Sequence, residues 1–212
     1  MPEITYTLLS DGSSDRALIP ILTWTLRQRL AGCAINPHWA DLRALHRPPR
    51  GLRERMETAV RLYPCDILFI HRDSESAPRC RRVAEIERAL QAAAIPTTQR
   101  SCPVVPVRMQ EAWLLFCESA IRRASGNPNG QMALHVSRNY ETIPHPKREL
   151  HRLLKEASGL RGRRLRALNA QELVHRVAQL VQDFSPLRTL SAFQALEQDI
   201  ASLLDDVRAS IG

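Results

Sequence analysis

No apolar run in the chain is long enough to cross a bilayer, because charge interrupts every hydrophobic stretch well short of the ~20 residues a spanning helix needs. No membrane association is therefore expected. The opening stretch MPEITYTLLSDG lacks the basic start and small-residue cleavage site of a signal peptide. Cysteines are few and scattered: Cys33, Cys65, Cys80, Cys102 and Cys117 are odd in number and never form CxxC. That argues against a disulfide framework or a thiolate zinc site, and for reduced thiols in a cytoplasmic protein. Cys33 and Cys117 lack a basic partner in a recognisable order and are expected to be core thiols. No histidine stands four residues from another and no HExxH run occurs, so zinc hydrolysis is unsupported. The absence of a GxxxxGK[ST] loop argues against ATP hydrolysis within the chain. Low-complexity tracts and internal repeats are missing too.

What is present is a globular composition: 212 residues, 44% hydrophobic and 25% charged, enough for one substantial core. The formal charge is +8 and the pI about 9.9, a balance that favours a polyanionic partner. Residues 145–168 concentrate it, with eight Lys or Arg (Lys147, Arg148, Arg152, Lys155, Arg161, Arg163, Arg164 and Arg166) against two Glu. Two readings fit that run, a solvated helix face or a surface for phosphate. Lys147 and Arg148, just after Pro146, are the strongest candidates for a phosphate clamp.

The first ~110 residues alternate between strand and helix signals. Apolar, β-branched runs at 4–10, 35–43, 66–72 and 97–109 read as strands, the last broken by proline and so an edge. Between them, 14–30, 52–63 and 79–93 carry helical spacing, with Ser13 or Ser14 available as N-cap of the first helix and Pro20 near its start. This order predicts an α/β, Rossmann-like fold with a mostly parallel sheet and flanking helices. After 110–126 and a turn-rich joint at 125–130 the pattern changes to helices only, at 145–158, 169–184 and 190–210. The expected organisation is an α/β domain over 1–126 and a helical C-terminal extension over 127–212 that packs on the sheet and need not be an independent domain.

Ligands of open parallel sheets bind at the carboxyl ends of the strands. Acids sit at two such ends: Asp11, with Gly12 and Asp15 after it, and Asp73, with Glu75 two residues on. In an extended segment residues i and i+2 point the same way, so Asp73 and Glu75 would reach one cation while Asp11 approaches from the neighbouring strand. A hard ion such as Mg2+ suits that sparse carboxylate set. The same acids would also suit the dipoles of the helices that follow them. His71 is expected to be a packed strand-end histidine, and Trp113 a core residue.

LLSDGSSDRALIPIL and ILFIHRDSE together resemble the Toprim domain of topoisomerases, bacterial primases and small nucleases. The first Toprim motif is a strand ending in Glu-Gly with another acid four residues later; the second is a strand ending in Asp-x-Asp. The resemblance puts Asp11 on the glutamate (a general acid or base, or a metal ligand), Gly12 on the glycine and Asp15 on the following acid. Asp73 and Glu75 fall on the Mg2+-holding pair. Downstream, VPVRMQEAWLLFCESAI, PHPKRELHRLL and SPLRTLSAFQALEQDI resemble a bacterial Toprim-like domain-of-unknown-function family often encoded beside ATPases in mobile or defence loci. That likeness covers most of the chain and adds Glu111 to the site.

The resemblance implies a Toprim-like fold and an Mg2+- or Mn2+-dependent nuclease. Asp11, Asp73, Glu75 and Glu111 would be catalytic, and Asp11, Asp15, Asp73 and Glu75 would hold metal. DNA or RNA would be bound through Lys147, Arg148, Arg152, Arg161, Arg163 and Arg164. It further implies antiviral defence alongside an ATPase of ABC or AAA type, and admits an oligomer. Two departures stand out. Asp11 replaces the usual Glu and Glu75 the usual Asp, each moving a carboxylate by about 1.5 Å, one bond length. A displaced metal site and a degenerate, regulatory one are both compatible with that exchange. A primase-like transferase is less supported, since no template-binding module is evident.

Overall fold

The computed structural model describes residues 2–75, 77–135 and 139–209. Among these residues, one sheet holds four strands in the order β2-β1-β3-β4: β1 (Glu3–Leu9), β2 (Ala34–Ala40), β3 (Ile67–His71) and β4 (Arg100–Val104). All pairings are parallel, as the alternation of strand and helix signals requires. The connecting helices are α1 (Leu18–Arg27), α2 (Leu52–Leu62) and α3 (Arg79–Ala92). Then come α4 (Glu118–Ala124), α5 (Pro146–Ser158), α6 (Gly162–Arg166), α7 (Ala170–Leu180) and α8 (Ser191–Ala209). The chain is α/β and Rossmann-like. No helix among the described residues is long and apolar enough to cross a membrane.

Alternate residues of each strand face opposite layers. Tyr6, Leu8, Ile67 and Phe69 point into the larger core with Leu18, Leu22, Leu154, Val174 and Phe193. Leu9, Leu68 and Ile70 point into the smaller one, against Met56, Ala59 and Ile86 of α2 and α3. All five residues of β3 are buried, which explains its unbroken apolar spelling. α5, α7 and α8 share the larger core with α1 and the sheet. Trp113 is fully buried, meeting Phe193 of α8 edge-on at 5.6 Å.

Several local expectations are corrected. The first helix opens as a tight 3-10 turn, Ser14–Ala17, and neither its Ser13 cap nor the Ala17 cap of α1 makes a side-chain bond. Pro20 falls in the first turn of α1, where its missing N–H is not needed. Residues 110–126 form a 3-10 turn, Gln110–Leu114, and the short α4. β4 is the edge strand that its proline predicts, but shorter than 97–109. Cys102 is the buried thiol, whereas Cys33 and Cys117 are half-buried.

Candidate active site

The strand order fixes where a ligand would go. From β1 the chain moves outward to β2 and then returns to β3 on the other side, so the topological switch lies between the C-terminal ends of β1 and β3. Asp11 follows β1 and Asp73 follows β3, one on each side of that crevice.

The β3 and β4 exits are tied together tightly. Arg72 N–H donates to Val104 O at 3.1 Å, Ser74 N–H to Pro106 O at 3.3 Å and Glu75 N–H to Arg108 O at 2.9 Å. Ser74, itself buried, accepts Arg108 N–H on its hydroxyl at 2.9 Å. Glu75 and Arg108 both take left-handed backbone, with φ of 53° and 61°, a conformation that non-glycine residues adopt at a cost and chiefly where surrounding structure enforces it. Here the interlocked loops enforce it, and the product is a fixed Asp73.

Asp73 Oδ1 accepts the Gln110 N–H at 3.1 Å and stands 3.4 Å from His71 Nε2. The other ring nitrogen, Nδ1, lies 3.0 Å from Val104 O, which fixes the imidazole as a donor there. Asp15 Oδ2 is 3.9 Å from the same Nε2 and accepts the Gly12 N–H at 2.7 Å. Burial pushes His71 towards neutrality, but Asp73, Asp15 and Val104 O outweigh it and its pKa is raised. The buried Gln110 donates its side-chain amide to Ser14 O at 3.3 Å, tying the β4 exit to the β1 exit.

Glu111 completes this inner group. It is 1% exposed, and its Oε1 has no hydrogen-bond partner, like Oε1 of Gln110 beside it. Burial above all, with the fields of Asp73 and Asp15 adding to it against the opposing pull of its own N–H and of Lys147, pushes the carboxyl up to about 7.

Asp11 and Glu75 stand outside the group. Asp11 is ion-paired with Arg55 of α2 and lies 3.5 Å from Arg72. Arg55 also donates to Ser10 O. Glu75 has its side chain 72% exposed and lies 3.5 Å from Arg82 of α3. The expectation that Asp73 and Glu75 share one face fails, because the left-handed turn at Glu75 breaks the extended alternation on which it rested.

The donor set fits a hard cation in its chemistry. Asp15, Asp73 and Glu111 are oxygen ligands, and the orphaned buried oxygens of Glu111 and Gln110 want a proton or a positive charge. In arrangement the fit is partial, since among the described residues no three Asp, Glu, His or Cys converge on one point.

Beside the acids, α5 lines a cavity of about 620 Å³ with Met109, His145, Lys147, Arg148, His151, Arg152 and Lys155. Lys147 links the two, since its charge reaches Glu111. Arg152 is held by Glu149 and Glu156, so less of its charge is available than that of Lys147 or Arg148, for which no ion pair occurs among the described residues. Arg161, Arg163 and Arg164 are exposed at α6, again without an ion pair among the described residues.

Sequence reasoning missed Gln110, Ser74, Arg55 and Arg108. Gln110 adjoins a recognised acid, but nothing in its spelling shows that its backbone N–H would hold Asp73. Comparison of the chain with family models, curated proteins and solved structures finds no match.

Proposed function

We propose that the chain is a divalent-cation-dependent phosphodiesterase acting on DNA or RNA, with its reactive centre at Asp15, Asp73 and Glu111. The observation that carries this reading is Glu111: a buried carboxyl with one unpartnered oxygen, pushed up to about 7, set between two other acids and the lysine of a basic cavity. Perturbation of that kind at a sheet's C-terminal edge marks a functional site, and a carboxyl that titrates near neutral pH exchanges its proton readily for a cation. The Toprim resemblance agrees with it in kind, although it assigns the metal to Asp11 and Glu75 as well.

In this reading Asp73, Asp15 and Glu111 would hold Mg2+ or Mn2+, which when bound polarises a phosphate and acidifies water. Lys147 and Arg148 attract the phosphate backbone and orient it over the acids. His71 holds Asp73 in place, itself fixed by Val104 O. Glu111, which carries a proton close to neutral pH in the free chain, would release it to solvent on taking up the cation.

The test is cleavage of labelled DNA and RNA, single- and double-stranded, with and without Mg2+ or Mn2+. Cleavage that needs the cation and vanishes in Asp73→Ala, with the fold intact by circular dichroism, is the expected outcome. Full cleavage by that variant would sink the assignment.

A second reading is favoured by the arginines on Asp11 and the outward turn of Glu75. It makes the chain a binding or regulatory subunit with a degenerate site, working through an ATPase of ABC or AAA type in antiviral defence. The ATPase and the defence role rest on the resemblance alone. This reading expects no cleavage with either cation, and a stable complex with the product of the adjacent gene.

A further inference from the structure

A second cleft opens at the C-terminal ends of β1 and β2. It measures about 200 Å³ and is lined by Trp39, Arg43, Pro48, Pro49, Arg50 and Arg55. Asp11, the outer acid, forms part of its wall. Trp39 is fixed from behind, its indole N–H donating to Ser10 Oγ at 3.1 Å. Two guanidiniums lie over its ring, Arg43 at 5.3 Å and Arg16 at 5.8 Å from the centroid, and Arg43 is held in place by two bonds to Asp41 of 2.7 and 2.9 Å. Pro48 and Pro49 supply a stiff apolar wall. Arg50 is exposed and, among the described residues, its guanidinium has no ion-pair partner.

These pieces match the parts of one nucleotide. A stacked indole and guanidinium form a flat, electron-rich and cationic platform of the kind on which unpaired bases lie. The volume falls below the about 300–1,000 Å³ of a drug-sized ligand site and suits a single flat ring system. An unpaired arginine at the rim supplies the phosphate contact. A base inside a duplex is stacked on both faces and has no access to such a platform, so the occupant has to be unstacked.

We infer that this cleft seats one splayed base of a single-stranded nucleic acid on the Arg43–Trp39 stack, with Arg50 on its phosphate. It rests on the reading of the chain as a nucleic-acid protein and narrows the substrate to one with an unpaired nucleotide beside the site. Strand bound there runs past Asp11 towards the acids, which makes the Asp11–Arg55 pair part of the track between the two clefts.

The experiment is photocrosslinking of the unmodified full chain, in chelator, to a single strand of about 12 nucleotides carrying 5-iodouracil, within the usual span of single-strand sites. Adduct mapping by mass spectrometry is expected to place the link on Trp39, and to lose it when the same strand is presented as a duplex. In parallel, Trp39→Ala is expected to weaken single-strand binding roughly tenfold or more and Trp39→Phe by less than about threefold, as stacking on an aromatic ring implies. Duplex binding should change little in either. Adducts only at other residues, wild-type affinity in Trp39→Ala, or no binding of any single strand overturns the inference. Because the adduct is read on the native sequence, a poorly folded Trp39→Ala leaves it testable. A Trp39 adduct without cleavage in Mn2+ defeats the phosphodiesterase reading and leaves the base cleft standing. Cleavage that is indifferent to Trp39 does the reverse.

Discussion

Asp73 and Asp11 are the same residue type at the ends of neighbouring strands, facing one crevice, and their surroundings differ in nearly every respect. Asp73 sits among a backbone N–H, a buried histidine and two other buried acids. Asp11 is half-exposed and clasped by two arginines. Glu111 and Glu75 repeat the contrast, one buried with an unsatisfied oxygen, the other outward-facing against Arg82. Position at a strand end therefore does not by itself assign an acid to the chemistry. What separates the two sets is whether burial leaves a carboxylate wanting a positive charge or an arginine has already supplied one.

The contrast can be broken most sharply at Asp73. Asp73→Asn keeps the Gln110 contact but removes the charge, and cleavage is expected to fall by on the order of 10²–10³-fold, the scale of losing one preorganised electrostatic group. Asp11→Asn is expected to cost less than about tenfold in the same assay, since exposed ion pairs contribute about 0.2–1 kcal/mol. Equal losses at the two positions would erase the distinction between inner and outer acids.

Glu111 offers a test through pH. Its carboxyl is raised in the fold from 4.5 to about 7, so between these values the folded chain binds more protons than the unfolded one. Stability from this group is thus full at the acid end and declines as pH rises through that window. Glu111→Gln, assayed in chelator, is expected to flatten that decline and to gain on the order of 1–3 kcal/mol above it, seen as a higher midpoint in thermal or urea unfolding. An unchanged slope would show that the carboxyl is not desolvated.

The smallest effect belongs to Glu75. Glu75→Gly relieves a left-handed backbone that glycine adopts freely, and is expected to leave stability unchanged or raise it by up to about 1 kcal/mol. Its effect on cleavage should stay within about threefold. A large rate loss would mean that the outward-facing acid swings into the site.

The fold was legible because the alternation of strands and helices is written in periodicity, and β3 announces its burial in an unbroken ILFIH. The acids were legible as positions, since strand ends can be located from the same pattern. Their grouping was not. The extended-chain rule that paired Asp73 with Glu75 assumes that the strand continues, but it ends at His71, and hydrogen bonds to a loop more than thirty residues away hold the segment after it in another conformation. Arg55 could not have been linked to Asp11 from sequence, because the 44-residue separation is closed only by the β1–α2 packing. Glu111 was reached only through the resemblance, and its orphaned oxygen is a property of packing that no local spelling encodes.

The most direct measurement of the central claim is calorimetric titration of Mn2+ into the wild type, Glu111→Gln and Asp11→Asn under identical conditions. The account expects one binding event in the wild type, weakened at least about tenfold by Glu111→Gln, as loss of a contributing ligand implies, and little changed by Asp11→Asn. Binding that survives Glu111→Gln and disappears with Asp11→Asn would contradict it, placing the cation among the arginine-paired acids instead.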